Sequence, residues 1–280
     1  MSPRKRPPEI ESSGLSCTGP VRADNQDSIY LPQAGQPGNT NRLYAVADGM
    51  GGYAHGALAS QLALKALCEA VTEERAFSSP HRRLAQGMND ANTQVYLEAQ
   101  RLGAGRMGTT LTAAYIHGDT LYLAHAGDSR LYLVRGAQAT CLTRDHTTVG
   151  ELARMKLIAP DKVRTHAQRS ILTRAVGLAL FLKADISRHR LCAEDRLILC
   201  SDGVWSVVQD EEFGLVACQA ARAEETSRGL IDLALSRSTD DNVSAIAIHI
   251  RQISPAPPPP DPAEHSGWRH LVQKFNKKAL

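Results

Sequence analysis

The apolar residues of this chain occur mostly in short runs that polar turns separate. In the longer segments, Leu58, Leu62 and Leu67 contribute to one apolar helix face, and Pro80 suits the start of a second helix. Helices are expected at residues 56–70, 80–102, 209–221 and 223–236. Strands are expected at residues 15–18, 28–31, 42–47, 109–116, 120–126, 130–134, 185–189, 196–200 and 243–250.

The order of these elements favours a β-sandwich with helices outside it over a doubly wound parallel sheet. The sequences HGD at 117–119 and GDS at 127–129 are typical of hairpin turns, so they are expected to join three consecutive strands. The segment 146–168 is polar, helix-prone and richer in basic than in acidic residues.

Composition permits a large core and argues against several classes of protein. The chain is 42% hydrophobic and 22% charged, and its net charge of +3 is too small to indicate nucleic-acid binding. Its apolar runs are shorter than the roughly 20 residues of a membrane span, and the basic N-terminus lacks the apolar stretch of a signal peptide. The six cysteines show no CxxC spacing, so free thiols in a monomeric cytoplasmic protein are expected.

The two ends of the chain differ in composition from its middle. A flexible tail is expected at 1–13, a globular domain at 14–252, a proline-rich linker at 253–264 and a basic amphipathic helix at 265–280. The apolar face of that helix consists of Trp268, Leu271, Val272, Phe275 and Ala279. We expect it to dock on a protein partner or an anionic membrane surface; the alternative is that it packs on its own domain.

Four aspartates lie at the ends of predicted strands. Asp48, Asp128 and Asp202 each follow an apolar run, and Asp241 precedes one. Carboxylates brought together in this way, without Cys or His at motif spacing, form an oxygen-only site. Such a site suits hard divalent cations such as Mg²⁺ or Mn²⁺.

Seven short motifs occur in an order typical of one family. They are RADNQD, DGMGG, GTTLTAAYI, GDSR, LTRDH, SDGVW and DDNVSAIAI. Together they resemble the metal-dependent protein phosphatases (PPM, protein phosphatase 2C), in the bacterial branch, over roughly residues 14–252. The resemblance implies an α+β fold, a four-layer α-β-β-α sandwich of two antiparallel sheets flanked by helix pairs. It also implies hydrolysis of phosphoserine and phosphothreonine in proteins, opposing a bacterial serine/threonine kinase.

The resemblance assigns roles to individual residues. Asp48 would bridge two divalent cations, Mn²⁺ or Mg²⁺, with the backbone carbonyl of Gly49 on one of them. Asp202 and Asp241 would complete the shell of the first ion, and a hydroxide shared by the two ions would attack phosphorus. Arg22 would bind the substrate phosphate through its forked guanidinium.

Two further aspartates and one arginine have simpler alternative interpretations. Asp128 would bind a third, weaker ion, or it is a hairpin-turn aspartate that caps its own backbone. Asp27 would orient metal-bound water, or it is a turn residue. Without the resemblance, the sequence alone would favour a surface arginine near a basic tail for Arg22.

Two positions depart from many eukaryotic members, which carry Glu at Gln26 and His at Met50. Met50 cannot donate a proton, so His55, Tyr53 or metal-bound water is expected to serve as the general acid. The basic segment 146–168 corresponds to a flap beside the site that could attract acidic phosphorylated substrates, or it is a solvated surface. Trp205 is expected to be a core aromatic behind Asp202.

Two other functions remain open from sequence alone. A non-catalytic pseudophosphatase that binds phosphoproteins would be favoured by loss of the metal aspartates, but Asp48, Asp202 and Asp241 are all present. A metal-dependent nuclease would require a more basic groove than the net charge suggests.

Overall fold

Two antiparallel sheets packed face to face form the centre of the computed structural model, which describes residues 8–32, 42–51, 53–72, 79–159 and 162–253. The strands are β1 (Glu9–Cys17), β2 (Asp27–Tyr30), β3 (Leu43–Met50), β4 (Gly108–Thr109), β5 (Leu111–His117), β6 (Thr120–Ala126), β7 (Arg130–Arg135), β8 (Gln138–Cys141), β9 (Asp185–Arg190), β10 (Arg196–Cys200) and β11 (Val243–Gln252). The helices are α1 (Tyr53–Thr72), α2 (Pro80–Leu102), α3 (Thr148–Arg154), α4 (Asp202–Trp205), α5 (Asp210–Gln219) and α6 (Ala223–Ser236).

Each sheet contributes one face to the central core. The first sheet has the order β1-β11-β10-β7-β8, and the second has the order β2-β3-β5-β6-β9 with β4 paired to β3. Because side chains alternate along a strand, Leu121 and Leu123 of β6 point between the sheets, whereas Ala124 and Ala126 point outward under the helices. Both faces of the central strands are buried, which explains the long apolar runs in β10 and β11.

A helix layer covers the outer face of each sheet. On the second sheet, Ala63 and Leu67 of α1 pack with Met88 and Val95 of α2. On the first sheet, α4, α5 and α6 bury Trp205, Phe213 and Leu230. The layer order is α-β-β-α, so the predicted four-layer α+β sandwich is confirmed.

Residues at both ends of α2 determine where this helix begins and ends. The Ser79 hydroxyl accepts a hydrogen bond from the Arg82 amide, and Pro80 fits the first turn, where its missing N–H costs nothing. Gly103 ends the helix in the left-handed conformation at φ 63°. These signals explain why the predicted and observed ranges of α2 coincide.

The N-terminal strand is longer than predicted. β1 begins at Glu9 and pairs with β11 along its length, so residues 9–13 belong to the sheet and not to a tail. The prediction missed the start of this strand because its serines are polar. In the structure, Ser13 Oγ lies 3.2 Å from Ser227 Oγ, and Ser16 Oγ lies 2.8 Å from Ser244 Oγ. The short edge strand β8 was also missed.

The GDS sequence does not form a hairpin. β6 pairs with β5 and β9 in the second sheet, whereas β7 pairs with β8 and β10 in the first. Residues 127–129 therefore carry the chain from one sheet to the other. The prediction of a β6–β7 hairpin is wrong, because turn composition reports a change of direction and not which strands pair.

Some predictions fall outside the described residues. These are the tail at 1–7, the linker from residue 254, the helix at 265–280 and the side chain of Tyr53. None of the described helices is long and apolar enough to cross a membrane. All six cysteines are described and free.

Candidate metal centre

Carboxylates from four separate parts of the chain meet at one end of the sandwich. Asp48 lies on β3, Asp128 at the crossing between the sheets, Asp202 at the start of α4 and Asp241 just before β11. All four line one open cavity of about 770 Å³. Arg22, Gln26, Gly49 and Met50 line the same cavity.

Asp27 is buried behind these residues, directly opposite Asp48 in the β2–β3 ladder. Its Oδ2 atom accepts hydrogen bonds from Ser201 Oγ at 2.7 Å and Ser244 Oγ at 2.6 Å. Its Oδ1 atom is buried and has no hydrogen-bond partner among the residues described. One oxygen is thus fixed by two hydroxyls, and the other remains available.

The backbone of Asp48 is held by a buried threonine. The Asp48 amide donates to Thr110 Oγ1 at 2.9 Å, and the Asp48 carbonyl accepts from the Thr110 amide at 2.8 Å. Thr110 Oγ1 also lies 2.7 Å from Ser129 Oγ, next to Asp128. These contacts tie the Asp48 strand to the crossing segment, so the two carboxylates keep a fixed relation.

The clustered carboxyl groups strongly disfavour one another's ionisation. Burial raises the pKa of Asp48 well above that of an ordinary aspartate, and repulsion from Asp27 and Asp202 raises it further. Burial, and to a smaller extent repulsion from Asp241 and Asp27, raises the pKa of Asp202 to about 7. Burial also raises the pKa of Asp128 well above its usual range. A site with this charge binds cations or protons.

Arg22 lies at the mouth of the cavity and not in a tail. Its Nη2 donates to Asp241 Oδ2 at 2.7 Å, and its side chain is 54% exposed. The remaining guanidinium donors can reach a ligand in the cavity, since the side chain is open to solvent. The alternative of an unrelated surface arginine is therefore not favoured by the geometry.

Gly49 is required by close packing against α1. A Cβ atom at this position would lie 2.0 Å from the Gly56 carbonyl oxygen and 2.7 Å from that of Gln26. The Gly49 amide donates to the Gln26 carbonyl at 3.2 Å. Glycine thus lets β3, α1 and the segment before β2 meet at the cavity wall.

The donor set fits hard divalent cations. The cavity offers carboxylate and carbonyl oxygens, and Asp202 Oδ1, like Asp27 Oδ1, is buried without a partner in the described part of the chain. No three described His, Cys, Asp or Glu side chains form a ready-made cage for one ion. Mg²⁺ keeps several water molecules in its coordination shell, so it does not require a complete cage of protein side chains.

Met50, which replaces the usual proton donor, and the alternative donor His55 differ in position. Met50 lies on the cavity wall. His55 is in the first turn of α1 and is not among the described residues that line the cavity. Its role as an acid stays a prediction.

Trp205 is buried, at 2% exposure, as predicted. Its Nε1 donates to the Asp128 carbonyl at 2.9 Å, and the Arg130 guanidinium lies 3.7 Å from the centre of its ring. Trp205 therefore supports the Asp128 segment as well as the start of α4.

Several residues that shape the site were not singled out from the sequence. Asn242 accepts from the Gln26 amide at 2.9 Å and donates to the carbonyls of Thr18 and Asp24 at 2.8 and 2.9 Å. It thereby clamps the segment that carries Arg22 to the start of β11. The signal was present, since the motifs GTT, SDG and DDNVS contain Thr110, Ser201, Asn242 and Ser244.

The structure is thus a four-layer sandwich with a cluster of carboxylates at one end, and sequence comparison gives its family. The protein phosphatase 2C family profile matches residues 12–243. The chain belongs to this family, and the predicted resemblance is confirmed.

Two curated relatives show the range of similarity. The serine/threonine protein phosphatase PstP of Mycobacterium tuberculosis is 37% identical over 244 residues, which are 86% of this chain and 45% of PstP. This chain therefore spans less than half the length of PstP. The serine/threonine phosphatase stp of Listeria welshimeri is 30% identical over 82% of this chain and 92% of its own length.

A solved relative is similar in three dimensions. The crystal structure of the catalytic domain of PstP in complex with two manganese ions superposes with a TM-score of 0.76 at 32% identity. The match covers 87% of this chain and 99% of that chain. The predicted enzyme class agrees with the names of these relatives.

Proposed function

We propose that this chain hydrolyses phosphoserine and phosphothreonine monoesters in proteins and depends on two divalent cations, Mn²⁺ or Mg²⁺. One observation supports this most directly: Asp48, Asp128, Asp202 and Asp241 converge on a single open cavity with Arg22 at its mouth. Membership in the protein phosphatase 2C family and the manganese-bound relative support it independently.

The cavity residues divide into those that would hold cations and those that would act on the substrate. Asp48 would contribute to the binding of both ions. Asp202 and Asp241 would help to hold the first ion, and the Gly49 carbonyl would ligate one of the two. A third, weaker ion beside Asp128 belongs to the same proposal. When bound, such ions lower the pKa of water and neutralise charge on the transferring phosphoryl group.

Three groups of this chain would organise the reactants. The Arg22 guanidinium would align the phosphate through two parallel N–H donors, exchanging its contact with Asp241 for one with the ligand. The free Oδ1 of Asp27 would accept a hydrogen bond from the attacking water and so fix its orientation. Asn242 would keep the segment of Arg22 in register with the carboxylates.

We propose that the physiological substrates are proteins phosphorylated by a bacterial serine/threonine kinase, the kinase itself included. The relatives are named serine/threonine phosphatases, and the cavity is open enough for a phosphorylated side chain carried by a polypeptide. The cytoplasm is the corresponding compartment.

The deciding experiment compares two substrates, a phosphothreonine peptide and an oligonucleotide, before and after EDTA treatment. We expect release of phosphate from a phosphothreonine peptide with added Mn²⁺, loss of that activity with EDTA, and no cleavage of an oligonucleotide. Tight peptide binding without phosphate release would favour a pseudophosphatase, and oligonucleotide cleavage would favour a nuclease. Either result would refute the proposal.

A further inference from the structure

A second cavity lies beside the metal centre and is built mainly of charged side chains. Its volume is about 810 Å³, and it lies between the start of β7, helix α3 and the start of β9. Six cationic side chains line it against four carboxylates: Arg130, Arg144, Arg154, Arg164, Arg174 and Lys183, with Asp145, Glu151, Asp185 and Asp210. The proposed reaction uses none of these residues.

The four carboxylates already have cationic partners. Arg130 binds Asp145 through two nitrogens, at 3.0 and 2.7 Å, and Arg174 binds Asp185 at 2.8 Å. Asp210 and Glu151 are paired with Arg164 and Arg154.

Two cations remain without such a partner. Within the part of the chain that the structure describes, Arg144 and Lys183 have no carboxylate partner, and both are exposed at the cavity. An excess of two positive charges in a concave site raises the local concentration of anions.

The second cavity shares a wall with the metal centre. Trp205 donates to the Asp128 carbonyl at 2.9 Å on one side and carries the Arg130 guanidinium at 3.7 Å on the other. His146, which lines the second cavity, donates its amide to the Gly127 carbonyl at 2.7 Å. The Trp205 side chain and the backbone around Asp128 thus lie between the two cavities, so one polypeptide substrate could contact both.

We propose that this cavity binds a second anionic group of the same polypeptide substrate, a phosphate or carboxylate a few residues from the phosphoryl group that is hydrolysed. This assignment rests on the proposed phosphatase function and adds to it a preference for multiply phosphorylated or acidic segments. Arg144 and Lys183 supply the unpartnered charge, and the paired arginines contribute further N–H donors, since a guanidinium has five and its carboxylate uses at most two.

The test uses peptides with one phosphothreonine and a non-hydrolysable phosphonate analogue of phosphoserine placed two, three, four or five residues away. We expect at least one spacing to lower KM by roughly tenfold relative to the peptide with alanine there, the effect of one charge-assisted contact. The double variant Arg144→Ala/Lys183→Ala should abolish that gain. The matched variant Lys65→Ala/Arg188→Ala removes the same charge from exposed positions outside the cavity and should preserve it.

Separate arms distinguish the possible failures. Free methylphosphonate at the peptide concentration should not reproduce the effect, because only a tethered group gains from effective concentration; an equal effect of the free anion would overturn the assignment. KM values equal to that of the alanine peptide at all four spacings would also overturn it. So would an equal loss of the KM gain in both double variants. Hydrolysis of para-nitrophenyl phosphate runs alongside, since failure of that reaction would refute the phosphatase function itself and not only the second site.

Discussion

Asp48 is the residue on which the proposed chemistry depends most. It is half-buried beside Asp27, Asp128 and Asp202, and the repulsion between these carboxylates is tolerable only when cations or protons offset it. Asp48→Asn should lower kcat for a phosphopeptide by more than about a hundredfold, since even outer-shell metal partners cost 10–100-fold.

The same substitution should not unfold the protein. It removes a buried negative charge, so the melting temperature in EDTA should equal or exceed that of the unmodified chain. Asp232→Asn, at an exposed position of α6, is the matched control and should leave both quantities unchanged. Near-normal turnover of Asp48→Asn with Mn²⁺ would contradict the assignment of Asp48.

Arg22 tests substrate binding at the same scale. Arg22→Ala should raise KM for a phosphopeptide more than it lowers kcat, because the contact with phosphate exists in both ground and transition states. Arg22→Lys should recover only part of the loss, since an ammonium cannot fork onto two oxygens. Arg228→Ala, an exposed arginine on α6, serves as control. An unchanged KM in Arg22→Ala would contradict the proposal that Arg22 binds the substrate phosphate.

At the scale of elements, the site depends on how β3, the start of β5 and the crossing segment are joined. Thr110 Oγ1 accepts a hydrogen bond from the Asp48 amide and lies 2.7 Å from Ser129 Oγ. One hydroxyl group therefore connects β3, the start of β5 and the crossing segment. The segment that carries Arg22 is joined to β11 in a comparable way by Asn242. Side-chain hydrogen bonds, rather than apolar packing, therefore fix the relative positions of the elements at the cavity.

Thr110→Val keeps the shape of this junction and removes its hydroxyl. The buried Asp48 amide then lacks its acceptor, so the free energy of unfolding should fall by about 1–3 kcal/mol in urea titrations. Turnover should also fall, because Asp48 is no longer held. Thr72→Val, which removes an exposed hydroxyl bonded to Cys68, should change stability by less than about 0.5 kcal/mol. Equal effects of the two substitutions would refute the positioning role of Thr110.

At the scale of the whole molecule, two sheets and two helix layers hold a cluster of negative charge that folding alone does not favour. Burial raises the pKa of Asp27 to about 6 and that of Asp202 to about 7, against about 3.9 in an unfolded chain. The folded, metal-free protein therefore binds more protons than the unfolded chain between these values. This stabilising effect is complete below pH of about 4 and is lost as the pH rises through about 6 to 7.

Divalent cations should replace the lost protons, so the gain in Tm on adding Mn²⁺ should increase from pH 5 to pH 8. A difference of about 2 kcal/mol corresponds to roughly 4–8 °C for a domain of this size. The burial of His249 lowers its pKa to about 4, which affects stability in the opposite direction. The difference in Tm between Mn²⁺-loaded and EDTA-treated protein cancels that contribution. Asp202→Asn should flatten the pH dependence, and Asp232→Asn should not. A gain that is constant with pH would contradict the electrostatic account.

The sequence by itself determined most elements and the identity of the central carboxylates. α2 and α6 begin and end at the predicted residues, and β6 and β10 coincide with their apolar runs. These features are local, because burial of one face imposes a period of 3.6 or 2 on the residues of a single element. Motif order then identified the family and placed Asp48, Asp202 and Asp241 in one site.

Only the tertiary structure decided which strands pair and what supports the carboxylates. Composition could not show that residues 127–129 cross between the sheets, or that Ser201 and Ser244 bind Asp27 from positions 174 and 217 residues away in sequence. The serines of β1 likewise appear as a polar tail until Ser227 and Ser244 lie opposite them. The physical reason is that both strand pairing and the burial of a polar side chain depend on partners far away in the chain, and local sequence does not contain those partners.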